Sequence, residues 1–358
     1  MKNRYVLGAI VVAVLLAGYL LFRPTLPPVR EQAHVAERKA TVWNRLAMVR
    51  EPLATLRYGD SVGIVESKQW NGVEYSRVVA LGRSVGWMES RQLMPEALWD
   101  RAADNLKKSR ALKPQARGIT KVPTNVRVEP GRSSQRFFQL SRDAPVEIFS
   151  RAVVELPPES AAAKKTEEQT GDAPAEPRRE DWVFIRGHDA DAGDLAGWVL
   201  GRFLEPDLPA PLRDYAAGIR FVAWFELSRV LAETPEGAEK EKKRGVAQAR
   251  SEGMPQFLAA GTVGPEGQAC DFTLLRYYTW HATRHRYETA YVESDLCGRL
   301  PIQVSPIPAG ANLEKSEASF SFTALATAKH GSAATAGTWE PREYRMKQNI
   351  IRRIRAKK

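Results

Sequence analysis

Apolar positions fall along this chain in three rhythms. From Tyr5 to Phe22, 18 residues pass without a charge, bracketed by Lys2 and Arg4 on one side and by Arg23 and Pro24 on the other. As a helix such a run rises roughly 27 Å, close to the ~30 Å hydrocarbon thickness of a bilayer, and it predicts one transmembrane helix. A secretory signal would carry a shorter apolar stretch and a small-residue cleavage site. Leu20-Leu21-Phe22-Arg23 offers no such site, so residues 1–29 read as a retained anchor with a Pro-rich exit. Leu16-Ala17-Gly18 resembles the start of a lipobox, but Tyr19 has no thiol to carry lipid. The second rhythm is that of short strands rich in β-branched and aromatic residues: Val62 to Val65, Tyr75 to Val79, Val146 to Phe149 and Trp182 to Ile185. The third belongs to residues 96–117, where Leu98, Ala102 and Leu106 recur without strand alternation among Lys107, Lys108, Arg110, Lys113 and Arg117; a short amphipathic helix or basic tether fits.

The strand-rich stretches repeat. Gly86-Trp87-Met88-Glu89-Ser90-Arg91-Gln92-Leu93-Met94-Pro95 aligns without a gap on Gly197-Trp198-Val199-Leu200-Gly201-Arg202-Phe203-Leu204-Glu205-Pro206. Upstream, Leu56 to Val62 resembles Leu140 to Val146, and Tyr75-Ser76-Arg77-Val78 pairs with Trp182-Val183-Phe184-Ile185. Val49-Arg50-Glu51-Pro52 reads as the counterpart of Val126-Arg127-Val128-Glu129-Pro130. Copy-to-copy spacing grows from 84 to 107 to 111 residues, so the second copy carries insertions. The larger lies within residues 154–180, a stretch of Ala, Glu, Lys, Thr and Pro with little apolar bulk that predicts a solvated loop.

The order of these pieces resembles the bacterial SH3 (SH3b) family, in residues 38–95 and again in 118–208, with Tyr75 where that family often has Trp. The resemblance implies two small antiparallel SH3-like barrels acting as non-catalytic binding modules, in several relatives for peptidoglycan or its peptides and in others as spacers. The contact residues expected on that basis are Trp70, Tyr75 and Trp87 in the first copy and Trp182 and Trp198 in the second, aromatic faces being what a shallow groove uses. Trp87 and Trp198, next to Gly in a strand, also read as core; Trp70 sits in the turn Gln69-Trp70-Asn71-Gly72.

After Pro209-Ala210-Pro211 a different region begins. Phe221 to Leu227 reads as a strand or short helix, residues 233–252 as a charge-rich exposed segment, and Phe257 to Val263, Asp271 to Trp280, Arg286 to Glu293 and Ser319 to Ala326 as strands. Residues 211–341 therefore predict an antiparallel β-rich domain of no recognised family. Cys270 and Cys297 flank its two central strands; were these a hairpin turning near His281 to His285, the sulfurs would meet at its open end, and a disulfide closing that loop contributes roughly 3–4 kcal/mol. A pair of buried free thiols is the competing reading.

Composition narrows the class. The chain has 358 residues, 43% hydrophobic, with 53 basic against 42 acidic side chains and two Cys. It is long enough for two or three cores, too apolar to be disordered, and too poor in Cys for a disulfide-knot or four-thiolate metal scaffold. No Gly-x-Ser-x-Gly elbow, phosphate loop or dinucleotide fingerprint occurs, and His281-x-x-x-His285 lacks the adjacent Glu of a zinc-hydrolase helix. No catalytic residue, cofactor or metal ligand is expected. Residues 342–358 hold eight basic side chains against Glu343 alone, interleaved with Tyr344, Ile350, Ile351 and Ile354. This reads as a basic tail whose Arg345, Lys347, Arg352, Arg353 and Arg355 contact an anionic lipid surface or acidic polymer, or as a frayed terminus.

Charge on either side of the anchor does not set its orientation. A short leading tail, a long following body and cysteines suited to an oxidising compartment point to a single-pass inner-membrane protein with its body in the periplasm, where nucleic acid is not an expected partner. The expected class is thus mainly β: an N-terminal transmembrane helix, two small SH3-like barrels and a C-terminal antiparallel β-rich domain. The expected function is non-catalytic binding of peptidoglycan, a wall peptide or an envelope protein. Two other readings remain, a divergent cell-wall hydrolase with its active site in 211–341, and modules that serve only as spacers.

Overall fold

The structure, a computed structural model, describes residues 26–80, 84–156, 178–230, 253–308, 311–313, 315–326 and 337–354. The expected anchor at 5–22 and most of the expected 154–180 insertion lie outside these residues. Among the described residues no helix is long and apolar enough to cross a membrane. The chain is mainly β and antiparallel throughout, and it divides into two compact units, Met1–Trp99 and Asp100–Lys358.

The first unit holds one seven-stranded sheet: β1 (Glu31–Val35), β2 (Lys39–Trp43), β3 (Pro52–Arg57), β4 (Ser61–Trp70), β5 (Val73–Val79), β6 (Val85–Glu89) and β7 (Leu93–Pro95), in the order β3-β2-β6-β5-β4-β1-β7. Period-2 alternation puts Val35, Val42, Val62, Val78 and Met88 on one face, each 1% exposed or less. Burial of such side chains contributes about 1.5–3 kcal/mol apiece, which is what the short strands gain by pairing. The sheet reaches back to Glu31, ahead of the boundary expected at residue 38. Charges at Arg30, Glu31, Glu37 and Arg38 hide the strand in the sequence, although Ala33 and Val35 are core.

The second unit opens with the same device. β8 (Ala116–Thr120), β9 (Thr124–Arg127), β10 (Arg136–Leu140), β11 (Pro145–Glu155), β12 (Arg179–Asp189), β13 (Gly193–Leu200) and β14 (Leu204–Pro206) form a sheet ordered β10-β9-β13-β12-β11-β8-β14, the first order repeated strand for strand. The registers make the correspondence residue by residue. Trp43 faces Trp87 as Arg127 faces Trp198, and Ala40 faces Leu56 as Thr124 faces Leu140. Asn44 N–H donates to the Glu51 carbonyl at 3.0 Å, and Val128 N–H to the Gln135 carbonyl at 3.3 Å. Gly86 and Gly197 lie where a β-carbon would press on the carbonyl oxygens of Trp43 and Arg127, at 2.5 and 2.6 Å. From β2 through the start of β4 the copies are therefore offset by a constant 84 residues, as Leu56 and Leu140 already show. This corrects the alignment of Val49-Arg50 on Val126-Arg127. The true counterparts of Val126-Arg127 are Val42-Trp43, and Val49 and Arg50 lie in the β2–β3 connection.

Helix α1 (Glu96–Ala111) occupies the expected linker. Beyond the second sheet, the short helix α2 (Ala210–Asp214) leads into two four-stranded meanders. The first is β15 (Arg220–Val230), β16 (Met254–Thr262), β17 (Leu274–His281) and β18 (Arg286–Glu293). The second is β19 (Gly298–Ser305), β20 (Ala318–Leu325), β21 (Trp339–Lys347) and β22 (Ile350–Ile354). Leu227, Leu258, Leu275 and Tyr277 of one sheet and Phe320, Phe322, Tyr344 and Met346 of the other share one core, so this region is a β-sandwich. Phe221 to Leu227 is strand, not helix. The last two strands correct the expected basic tail: Tyr344, Met346 and Ile351 point into the core while Glu343, Arg345 and Lys347 point out. Arg342 is buried too, donating to the Leu325 carbonyl at 2.8 Å and pairing with Glu293 at 3.3 Å.

Within the second unit the seven-stranded sheet and the sandwich are joined by buried polar groups. The Gln115 side-chain oxygen accepts from Ile302 N–H at 2.7 Å, and its carbonyl from Trp224 N–H at 3.0 Å. Arg151, 8% exposed, pairs with Asp181 at 2.5 Å and Asp271 at 3.0 Å, and it also donates to the Gln268 carbonyl at 2.8 Å. Removing one partner from such a cluster leaves a charge uncompensated in a poorly solvated place.

Candidate functional site

The solvent-facing side of the first sheet carries a row set by register alone: Trp43 on β2 opposite Trp87 on β6, Trp87 opposite Arg77 on β5, and Arg77 opposite Glu66 on β4, where the last two form an ion pair at 3.2 Å. Tyr75 lies two residues along β5 on the same side. Over this row folds Arg50, whose guanidinium sits 4.3 Å from the Trp43 ring centroid and 5.9 Å from that of Tyr75, and which donates to the Tyr75 hydroxyl at 3.5 Å. Trp70 meets Tyr75 edge-on at 5.9 Å from the end of β4, where Asn71 and Gly72, both at positive φ, turn the hairpin. The connection carrying Arg50 also presents Met48 and Val49 at 88% and 75% exposure. No carboxylate pairs with Arg50 among the described residues, and cation–aromatic contact is the main interaction its charge makes. The arrangement suits capture of a ligand by apolar and aromatic contact with one cation to orient it.

Three of the five expected contact residues meet here, Trp70, Tyr75 and Trp87, but Tyr75 is buried at 4% exposure and lies beneath Arg50 and Trp70. Trp43, Arg50, Met48 and Val49 were not legible as site residues. The one signal available was a Trp beside a loop of the same eight-residue length in both copies, and the misplaced Val-Arg alignment concealed it.

In the second copy the equivalent side is covered. Trp198 stands opposite Phe184 with ring centroids 5.4 Å apart, and Leu106 of α1 packs, as Trp198 does, against the cluster of Phe149, Phe184 and Ala196. Lys108 lies 5.6 Å from the Phe184 ring, Asn105 donates to the Val128 carbonyl at 2.9 Å, and Arg101 pairs with Glu129 at 2.5 Å. Trp182 is 3% exposed, which removes it from the expected surface contacts.

Cys270 and Cys297 form a disulfide with Cα atoms 4.9 Å apart, at the open end of the β17–β18 hairpin as expected. Each sulfur is thereby unavailable as a thiolate nucleophile. His281 and His285 flank the hairpin turn, where His281 Nδ1 accepts from Arg284 N–H at 3.4 Å and His285 packs edge-on against Trp280. Among the described residues no group of three or more His, Cys, Asp or Glu is arranged to hold a metal ion. A groove of about 690 Å3 runs along the seam of second sheet and sandwich, floored by Gln115 and Trp224, and a 210 Å3 cavity beside it is walled by Arg151, Asp181 and Arg220. Burial holds the Asp271 carboxyl above its ordinary range, an effect that Leu300 N–H and Arg151 only partly offset.

The expected anionic-surface residues are strand residues of the terminal hairpin. Arg345 and Arg352 stand directly opposite each other across β21 and β22 and, with Lys347, Ile350 and Ile354, line an outer groove of about 390 Å3. Arg353 instead pairs with Glu340 at 2.8 Å, and Arg355 lies outside the described residues.

No family model matches the sequence, and no curated protein matches it. Among solved structures, similar chains include NlpC1 from Trichomonas vaginalis, at 12% identity and a TM-score of 0.14 over 49% of this chain and 45% of that one. NlpC2 from Trichomonas vaginalis is another, at 10% identity and a TM-score of 0.15 over 74% and 96%. The chain thus spans under half the length of the first of these. Likenesses this distant assign neither fold family nor activity.

Proposed function

We propose that this protein is a non-catalytic binding protein of the bacterial envelope, built on two SH3b-like modules, in which the first module captures the ligand and the second mounts the sandwich. One observation carries the reading: a shared sheet side is covered by the chain's own helix in the second module, whereas in the first it holds Trp43 and Tyr75 under Arg50, Trp70 against Tyr75, Trp87 opposite Trp43, and the exposed Met48 and Val49 on the neighbouring connection. A polypeptide, either an envelope protein or a wall peptide, suits that shallow side. The disulfide favours an oxidising compartment, and the uncharged run at 5–22 favours an inner-membrane anchor with the body in the periplasm.

Photo-crosslinking in cells from a reactive residue placed at Met48 or Val49 tests this. An adduct that Arg50→Ala together with Trp70→Ala removes is the expected result. Absence of any adduct overturns the capture role. Release of soluble fragments from purified wall sacculi by the full-length protein would replace the reading with the hydrolase.

A further inference from the structure

The second module records what this kind of sheet side accepts. Its occupant is an amphipathic helix that contributes Leu106 to the cluster of Phe149, Phe184 and Ala196, hangs a cation over Phe184 through Lys108, and docks at the rim by Arg101 on Glu129 and Asn105 on the Val128 carbonyl. The constant offset of 84 puts Asn44 in the place of Val128 and Arg45 in the place of Glu129, on a connection of the same length. Trp43 replaces Arg127 and Arg77 replaces Phe184, while Trp87 and Trp198 coincide. The side therefore keeps a tryptophan floor and, at the position of Glu129, reverses the sign of its rim. Where the second module offers a carboxylate to the helix, the first offers the exposed Arg45 guanidinium, which donates to the Val49 carbonyl at 3.2 Å, and the Arg50 guanidinium.

From this reversal we infer that the first module binds an acidic amphipathic helix of a partner protein, laid across Trp43 and Trp87 with apolar residues on the ring faces and Asp or Glu side chains on Arg45 and Arg50. The inference rests on the capture role proposed above and specifies its ligand. Charge counts against two apolar helical candidates within the chain itself. Helix α1 of a second copy, with Arg101, Lys107, Lys108 and Arg110 against Glu96, Asp100 and Asp104, would bring a net positive charge against two arginines, and the run Tyr5 to Phe22 contains no carboxylate. Met48 and Val49, exposed beside the rim, supply the apolar shoulder that such a helix would cover.

The test uses the full-length protein and two helix-stabilised, fluorescently labelled 16-residue peptides, read by anisotropy. One carries the sequence of residues 96–111; the other carries it with Arg101→Glu and Lys108→Glu. The charge-reversed peptide is expected to bind at least tenfold more tightly. Arg45→Glu in the protein is expected to invert the preference, because it restores the sign that Glu129 has in the second module. Arg45 is a surface side chain, so this variant leaves the core intact and remains informative where Trp43→Ala unfolds the module. Equal binding of the two peptides, or a preference indifferent to Arg45→Glu, overturns the helix. If crosslinks from Met48 persist while neither peptide binds, the helix is wrong and the capture side stands; if both are absent, both proposals fall.

Discussion

A β-carbon on Gly197 would lie 2.6 Å from the Arg127 carbonyl oxygen and 2.8 Å from Val126 Cγ1, and on Gly86 the same atom would meet Trp43 and Val42. The Gly-Trp pair that reveals the duplication in the sequence is thus a close-approach requirement beside an outward ring. Gly197→Ala is expected to lower stability by about 1–3 kcal/mol, the usual cost of forcing extra volume into a packed site, and a thermal melt will show it. Asp271 gives a different residue-scale outcome. Because burial raises its folded-state affinity for a proton above that of the unfolded chain, folding stability falls as pH rises through and above the ordinary carboxylate range. Denaturant midpoints followed across that range should decline in the native protein, and Asp271→Asn should flatten the decline. Asp181→Ala, which strips Arg151 of one of its two carboxylates, should cost about 3–5 kcal/mol in the same assay. None of these burials is visible in sequence, where Asp181 and Asp271 look like ordinary surface acids.

Among the elements, the β17–β18 hairpin and its disulfide were readable because strand composition and Cys placement agree. In the chain-entropy picture a bridge across 27 residues contributes about 3.5 kcal/mol. Replacing Cys270 and Cys297 together by Ser should lower the denaturant midpoint accordingly, and a smaller loss would show that the surrounding sheet already restrains the loop. The terminal hairpin is hard to see in the sequence for a physical reason. Its period-2 pattern, Arg342, Tyr344 and Met346 inward against Glu343, Arg345 and Lys347 outward, was present in the sequence but masked by the density of positive charge. Strand β19 was missed because Pro301 interrupts it, and β1 because charges bracket it. Truncation after Pro341 therefore removes Tyr344, Met346 and Ile351 from the sandwich core, and such a fragment should lose the sandwich's share of the β signal in circular dichroism rather than behave as a neutral tail deletion. Arg345 opposite Arg352 is a like-charge cross-strand pair, so Arg352→Glu should gain about 0.2–1 kcal/mol. If the outer groove serves an anionic surface, the same change should also reduce flotation of the full-length protein with anionic vesicles.

At the scale of the molecule, the buried Arg151 cluster and the Gln115 bonds tie the second sheet to the sandwich, so the two should melt in one transition while Met1–Trp99 melts in another. Calorimetry with Arg151→Met resolves this: the transition of the larger unit should shift and the other stay in place. The repeat announced this architecture only halfway, since identity between copies says nothing of which copy is fused to a neighbour. The duplication also carries a hazard during synthesis. Two consecutive modules with one strand order invite exchange of equivalent strands, the misassembly to which tandem repeats are prone. Gly118 bears on that hazard. It faces Pro206 in β14 as Ala33 faces Pro95 in β7, and a β-carbon at Gly118 would come within 2.9 Å of the Glu205 carbonyl oxygen. Were β1 to usurp the place of β8, the methyl group of Ala33 would strike that oxygen. The missing methyl thus works as a one-way check, turning β1 away from the second module while setting no such bar to β8 in the first.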